Sequence, residues 1–144
     1  MKKKRKTRNL INVFNSQKRH PVSVAAIHRF ASRAARLAGV QQREFTVKFV
    51  SARLMNGLNL KFRGKDYPTD VLSFYGWDQE ELPAYLGDIV ICPEVAAENS
   101  RRLSRELKSL VLHGLLHLIG YDHETDHGEM NRLEAKFARS LGLQ

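Results

Sequence analysis

The chain has 144 residues, 42% of them hydrophobic, which suits one compact domain with a sizeable core. Its longest apolar run, "LKSLVLHGLLHLIG", falls short of membrane-spanning length, and the single cysteine, Cys92, excludes a disulfide framework. The formal net charge of +9 is unevenly held: residues 1–43 carry 12 Lys/Arg and no acid, whereas residues 44–144 carry 12 Lys/Arg against 15 Asp/Glu, a net of −3.

The start, "MKKKRKTRNLINVF", has too short an apolar stretch for a signal peptide, so the expectation is a cytoplasmic protein. Residues 1–8 read as a basic tail, disordered when free, and residues 9–144 as a single domain. Six cations of the tail, Lys2, Lys3, Lys4, Arg5, Lys6 and Arg8, would attract a polyanion such as RNA. "NLINVF" (9–14) suits a first strand. Pro21 and Ser23 then introduce a helix to about Ala38, with Val24, Ile27, Ala31, Ala34, Ala35 and Ala38 along one face. Arg29, Arg33 and Arg36 form a positive stripe on its other side.

"EFTVKFV" (44–50) alternates and is rich in β-formers, so it predicts a strand. Ser51 can cap a short helix holding Leu54 and Leu58. "RGKDYPTD" (63–70) is turn chemistry, "VLSFY" (71–75) a strand, "GWDQEELPAY" (76–85) a polar loop and "LGDIVI" (86–91) another strand. Cys92 reads as a small buried hydrophobe, and Pro93 suits the first turn of a helix. Ser104 starts a helix to about Ile119 that is apolar nearly all round, and Gly120 ends it. A last helix spans roughly 126–141. Strands and helices mix with too few alternations for a doubly wound sheet, so the fold class is α+β, a small mixed sheet packed with helices around a buried central helix.

That central helix carries "HGLLHLIGYDH" (113–123). His113 and His117 stand one above the other on one face. The chain can turn back at Gly120 and bring His123 to the same point. Unpaired buried imidazoles cost about 1–3 kcal/mol each, and one metal ion satisfies all three. Three converging nitrogens with a fourth position open are the arrangement of a catalytic zinc site, although nickel or copper would also bind. His127 lies four residues beyond a complete set and reads as a surface residue of the last helix; His20 and His28 show no metal spacing. The spacing is that of the metzincin proteases, H-E-x-x-H-x-x-G-x-x-H, but their general base, the Glu after the first His, is here Gly114. Peptide hydrolysis by that route is disfavoured.

"HGLLHLIGYDH" fills the pattern H-G-x-L-H-L-x-G-Y-D-H of the YbeY family, bacterial endoribonucleases of rRNA maturation. "LNLKFRGKDYPTDVLSF" (58–74) and "LGDIVI" resemble its other two motifs, in the right order. Two features depart: Tyr75 stands where many members have proline, and the "KKKRK" start is not a hallmark. The resemblance implies a metal-dependent, single-strand-specific ribonuclease of small-subunit ribosomal RNA, involved in ribosome quality control beside the small subunit and its assembly factors. It implies one Zn2+ on His113, His117 and His123, and Arg63 and His113 as catalytic residues. A guanidinium beside such a site can bind two phosphate oxygens.

Asp122 could orient a ligand imidazole or cap the turn after Gly120, and Asp70 and Ser73 are further polar candidates. No general base stands out. A rival reading is a ribosome-assembly RNA-binding factor with a structural zinc, against which three ligands rather than four count.

Overall fold

The structure, a computed structural model, describes residues 10–77 and 85–143. The cations of the tail from Lys2 to Arg8, and residues 78–84 of the expected polar loop, lie outside the described residues.

The elements in chain order are β1 (Ile11–Asn15), α1 (Val24–Leu37), β2 (Glu44–Phe49), α2 (Ala52–Arg63), β3 (Val71–Trp77), β4 (Tyr85–Ile91), α3 (Pro93–Asn99), α4 (Leu103–Ile119) and α5 (Glu129–Ser140). The strands form one sheet in the order β1-β2-β4-β3. β1 and β2 pair in parallel, as do β2 and β4, whereas β3 returns antiparallel along β4. The result is the α+β class with a mixed sheet, and β3 is one of its edges.

One face of the sheet meets α1, α4 and α5 in the larger core, built on Phe45, Val47, Phe49, Ile89 and Ile91. The other face carries a smaller cluster in which Leu72 and Val90 pack with Met55 of α2 and with Cys92. β2 keeps the expected alternation, with Phe45, Val47 and Phe49 buried and Lys48 exposed, except that Thr46 is buried as well. Thr46 tolerates burial because its hydroxyl lies 2.6 Å from that of Tyr85, which in turn donates to Asp88.

The caps follow the sequence at two helices. Ser23 Oγ accepts the Ala26 N–H at the start of α1, and Ser51 Oγ accepts that of Leu54 at the start of α2. The buried faces differ in detail from expectation. In α1, Phe30 is buried and Val24 is exposed. In α2, Met55 and Asn59 are buried, while Leu54 is 49% exposed, since the helix covers only one end of the sheet. The expected polar loop is shorter at both ends, for Gly76 and Trp77 belong to β3 and Tyr85 to β4. The last helix begins at Glu129 rather than near 126. Gly128 has a left-handed φ of 95°, and the Asp126 carboxylate accepts the N–H groups of Gly128 and Met130 from outside the helix. His127 therefore lies in the loop before α5 and not on it.

α4 is the spine of the fold. Leu107, Leu110, Val111, Leu112, Leu115, Leu116 and Leu118 are buried, and the helix packs against β3, β4, α1, α3 and α5. It lies close on the sheet at Gly114, where an added Cβ would stand 2.5 Å from Ile89 Cγ2.

Candidate metal centre

The last two turns of α4 present His113 and His117 on one side, both half-buried. Gly120 then takes φ 114°, a left-handed conformation open to glycine, and donates its N–H to His117 O at 3.0 Å. The Tyr121 N–H donates to Leu116 O at 3.1 Å, which closes the helix and reverses the chain. A tight turn follows. Asp122 Oδ1 accepts the Glu124 N–H at 3.0 Å, and its carbonyl accepts from Thr125 and Asp126. His123 is held in this turn facing the other two. One ring nitrogen from each of the three histidines lies within 4.8 Å of the others. Ring centroids are 4.8 Å (His113–His117), 5.5 Å (His113–His123) and 5.4 Å (His117–His123) apart.

The donor set fits a divalent metal. Zn–N bonds of about 2.0–2.1 Å in tetrahedral geometry put ligand nitrogens roughly 3.4 Å apart. His123 is exposed, so a modest ring rotation closes the set. The protonation tendencies also differ usefully. Burial first, and then the neighbouring His113 and His123, hold His117 below the ordinary imidazole value, in its neutral and ligating form. His113 is raised, chiefly by its hydrogen bond to Glu134.

That contact was not expected from the sequence. His113 Nδ1 lies 3.2 Å from both carboxylate oxygens of Glu134 on α5. A carboxylate accepts, so Nδ1 carries the proton and Nε2 remains as the electron-pair donor. This is the carboxylate–histidine arrangement that orients metal ligands. Asp122, the sequence candidate, makes the turn-capping hydrogen bond described above, and the carboxylate on a site imidazole is that of Glu134. A signal for Glu134 existed: it falls between Met130, Phe137 and Leu141 at helical spacing, so a carboxylate stands beside the buried face of α5.

The three histidines line a cleft of about 700 Å3 that runs along edge strand β3. Arg63, Asp70, Ser73, Asp122 and Glu124 share it. Arg63 is the last residue of α2, and Gly64, with φ 69°, ends the helix immediately after it. The following loop is tied back to α2: Asn59 Nδ2 donates to Tyr67 O and Asn56 Nδ2 to Asp66 Oδ1, each at 2.8 Å. The arginine thus reaches the cleft from a pinned helix end. Arg29, Arg33 and Arg36 are exposed on α1, and none of them lines this cleft. His20 and His28 lie apart from the cluster.

A mixed sheet with a buried helix, whose end and following turn bring three imidazoles to an open cleft, defines a protein with a candidate metal centre of catalytic type. The sequence model described as Endoribonuclease YbeY matches residues 12–142, and the chain belongs to that family. It is 41% identical to the Endoribonuclease YbeY of Koribacter versatilis over 126 residues, covering 85% of this chain and 80% of that one. A second relative of that name, from Bdellovibrio bacteriovorus, is 45% identical over 92 residues, 61% of this chain and 59% of its own length. A third, from an Anaeromyxobacter species, is 41% identical over 133 residues, 86% of this chain and 69% of that one. The solution structure of TM1509 from Thermotoga maritima superposes with a TM-score of 0.63 at 29% identity, covering 91% of this chain and 88% of that one. Among the described residues, no helix is long and apolar enough to cross a membrane.

Proposed function

We propose that this protein is a metal-dependent, single-strand-specific endoribonuclease. Its substrate is small-subunit ribosomal RNA, cleaved in the cytoplasm during rRNA maturation and ribosome quality control, with the small subunit and its assembly factors as partners. The observation that carries this reading is the convergence of His113, His117 and His123 in a cleft shared with Arg63, on a chain of the YbeY family.

The three histidines would hold one Zn2+, which when bound supplies Lewis acidity toward water and a phosphoryl oxygen. Everything else falls to the chain. Glu134 holds the His113 ring in one tautomer and one orientation. Arg63 offers two parallel N–H groups to the scissile phosphate and offsets charge as it develops there. The open fourth side of the histidine set leaves room for the reacting group. The arginine stripe of α1 and the Lys2–Arg8 tail hold the strand at longer range. Peptide hydrolysis by the metzincin route lacks its base, because Gly114 occupies that position and faces the sheet rather than the cleft.

The decisive experiment strips the protein of metal, reloads it with Zn2+ and incubates it with single-stranded and duplex RNA. Zinc-dependent cleavage of the single strand is the expected result. RNA binding with no cleavage in any metal-loaded state would leave an assembly factor with a structural ion.

A further inference from the structure

Two aromatic rings border the cleft without serving the metal or the core. Phe62 is 55% exposed and Tyr75 is 69% exposed, and both line the cavity that contains the three histidines. Phe74 and Tyr75 are consecutive on edge strand β3, so their side chains leave on opposite faces of the sheet. Phe62, at the end of α2, packs on the Phe74 side, with centroids 5.0 Å apart and ring planes at 67°. The two exposed rings therefore flank the strand edge from both sides.

Exposed apolar rings at a site rim have a cost in solubility and association. Here they are accompanied by cations. Lys61, Arg63 and Lys65 follow one another around Phe62, all exposed, and Lys61 Nζ rests 5.3 Å from the Phe62 centroid. Rings interleaved with cations match a single-stranded polyanion whose unpaired bases have apolar faces. The edge-on contact with Phe74 holds the Phe62 ring before any ligand arrives, so little ordering is needed on binding. The Lys61 ammonium can move from the ring to a phosphate when a base takes its place.

Resting on the ribonuclease reading above, we infer that Phe62 and Tyr75 are base-stacking platforms that receive the nucleotides on either side of the scissile phosphate. They set the preference for single strands, because bases paired in a duplex have no free face to offer.

The test uses full-length, zinc-loaded wild type, Phe62→Leu, Tyr75→Leu and Tyr75→Phe, with a fluorescent single-stranded RNA and copies carrying one abasic nucleotide at each position in turn. Leucine keeps apolar volume and removes the ring face, and both positions are exposed, so folding is preserved and is checked by melting. Each leucine variant should need about 5-fold more protein or greater for half-saturation in anisotropy and in single-turnover cleavage. The maximal rate and zinc content should change much less, and Tyr75→Phe should behave as wild type. At one abasic position the wild type should lose the same factor while the leucine variant loses nothing more. The single-strand over duplex preference should shrink in both leucine variants. Leucine variants that bind intact and abasic RNA as wild type does would overturn the platforms and leave the rings to a protein partner. A wild type that binds RNA and does not cleave it would overturn the hydrolysis instead, and anisotropy would still decide the stacking.

Discussion

Two helices of this molecule each carry potential cations at one-turn spacing. α1 shows Arg29, Arg33 and Arg36 on its outer side, and α4 shows His113 and His117 on its last two turns. In α1 the charges stand in solvent, opposite a face of buried alanines, and need no partner. In α4 the rings are half-buried beside buried leucines and line the cleft, where a partner for a polar nitrogen carries more weight. One nitrogen of His113 is met by Glu134, and one nitrogen each of His113, His117 and the nearby His123 face one another. The same spacing thus means a general surface field in one helix and a specific centre in the other, and what separates them is the company each residue keeps.

The comparison can be broken at the α4 end first. His117→Ala should abolish stoichiometric metal binding and with it cleavage, and should lower thermal stability by leaving a gap in a packed helix. Metal analysis of the purified variant decides this, and zinc equal to wild type would remove His117 from the ligand set. Next comes the residue between the two regimes. Arg63→Lys keeps the charge and loses the planar fork, so single-turnover cleavage should fall on the order of 10²-fold with zinc content and RNA affinity near wild type. If affinity falls by the same factor as the rate, Arg63 belongs with the α1 arginines as a general attractor of RNA.

Glu134→Gln tests the support beneath the centre. It should weaken metal affinity roughly 10- to 100-fold while leaving the three ligands in place. Competition with a chromophoric chelator gives the number, and an unchanged affinity would make the Glu134 contact incidental. The smallest expected effects are on the basic surfaces. Replacing Arg29, Arg33 and Arg36 together by serine should reduce the slope of log affinity against log salt by about 2, and deleting residues 2–8 by up to about 4, taking roughly 0.7 per phosphate contact on a single strand. Zinc content should not move in either case. A slope equal to wild type would mean that the cations only keep the protein in solution.

The centre was legible in the sequence because its geometry is local. His113 to His123 spans one helix end and one glycine turn, so spacing alone brings the rings together. The order and approximate limits of the strands were legible for the same reason. What escaped depends on contacts distant along the chain. Glu134 is 21 residues from His113 and meets it only because α5 packs back on α4. Leu54 looks like a core residue by type, yet α2 is turned so that Met55 and Asn59 face inward. Asn59 holds the loop after Arg63 in place, a duty that no pattern of apolar residues reveals. β2 departs from its alternation only at Thr46, which is buried because Tyr85, 39 residues further along the chain, meets its hydroxyl.

Gly114 closes a route that its neighbours leave open. By sequence alone, one codon change puts glutamate after the first histidine and turns this site toward the metzincin arrangement. The sheet forbids it, because even a methyl group there would stand 2.5 Å from Ile89, a branched, fully buried side chain with nowhere to retreat. A protease could be engineered here only by trimming Ile89 and lifting α4 away from β4, which loosens the spine that aligns the histidines. The two chemistries share a ligand pattern and are separated by a packing barrier, so a change of reaction would require rebuilding the floor beneath the metal before the base could be installed.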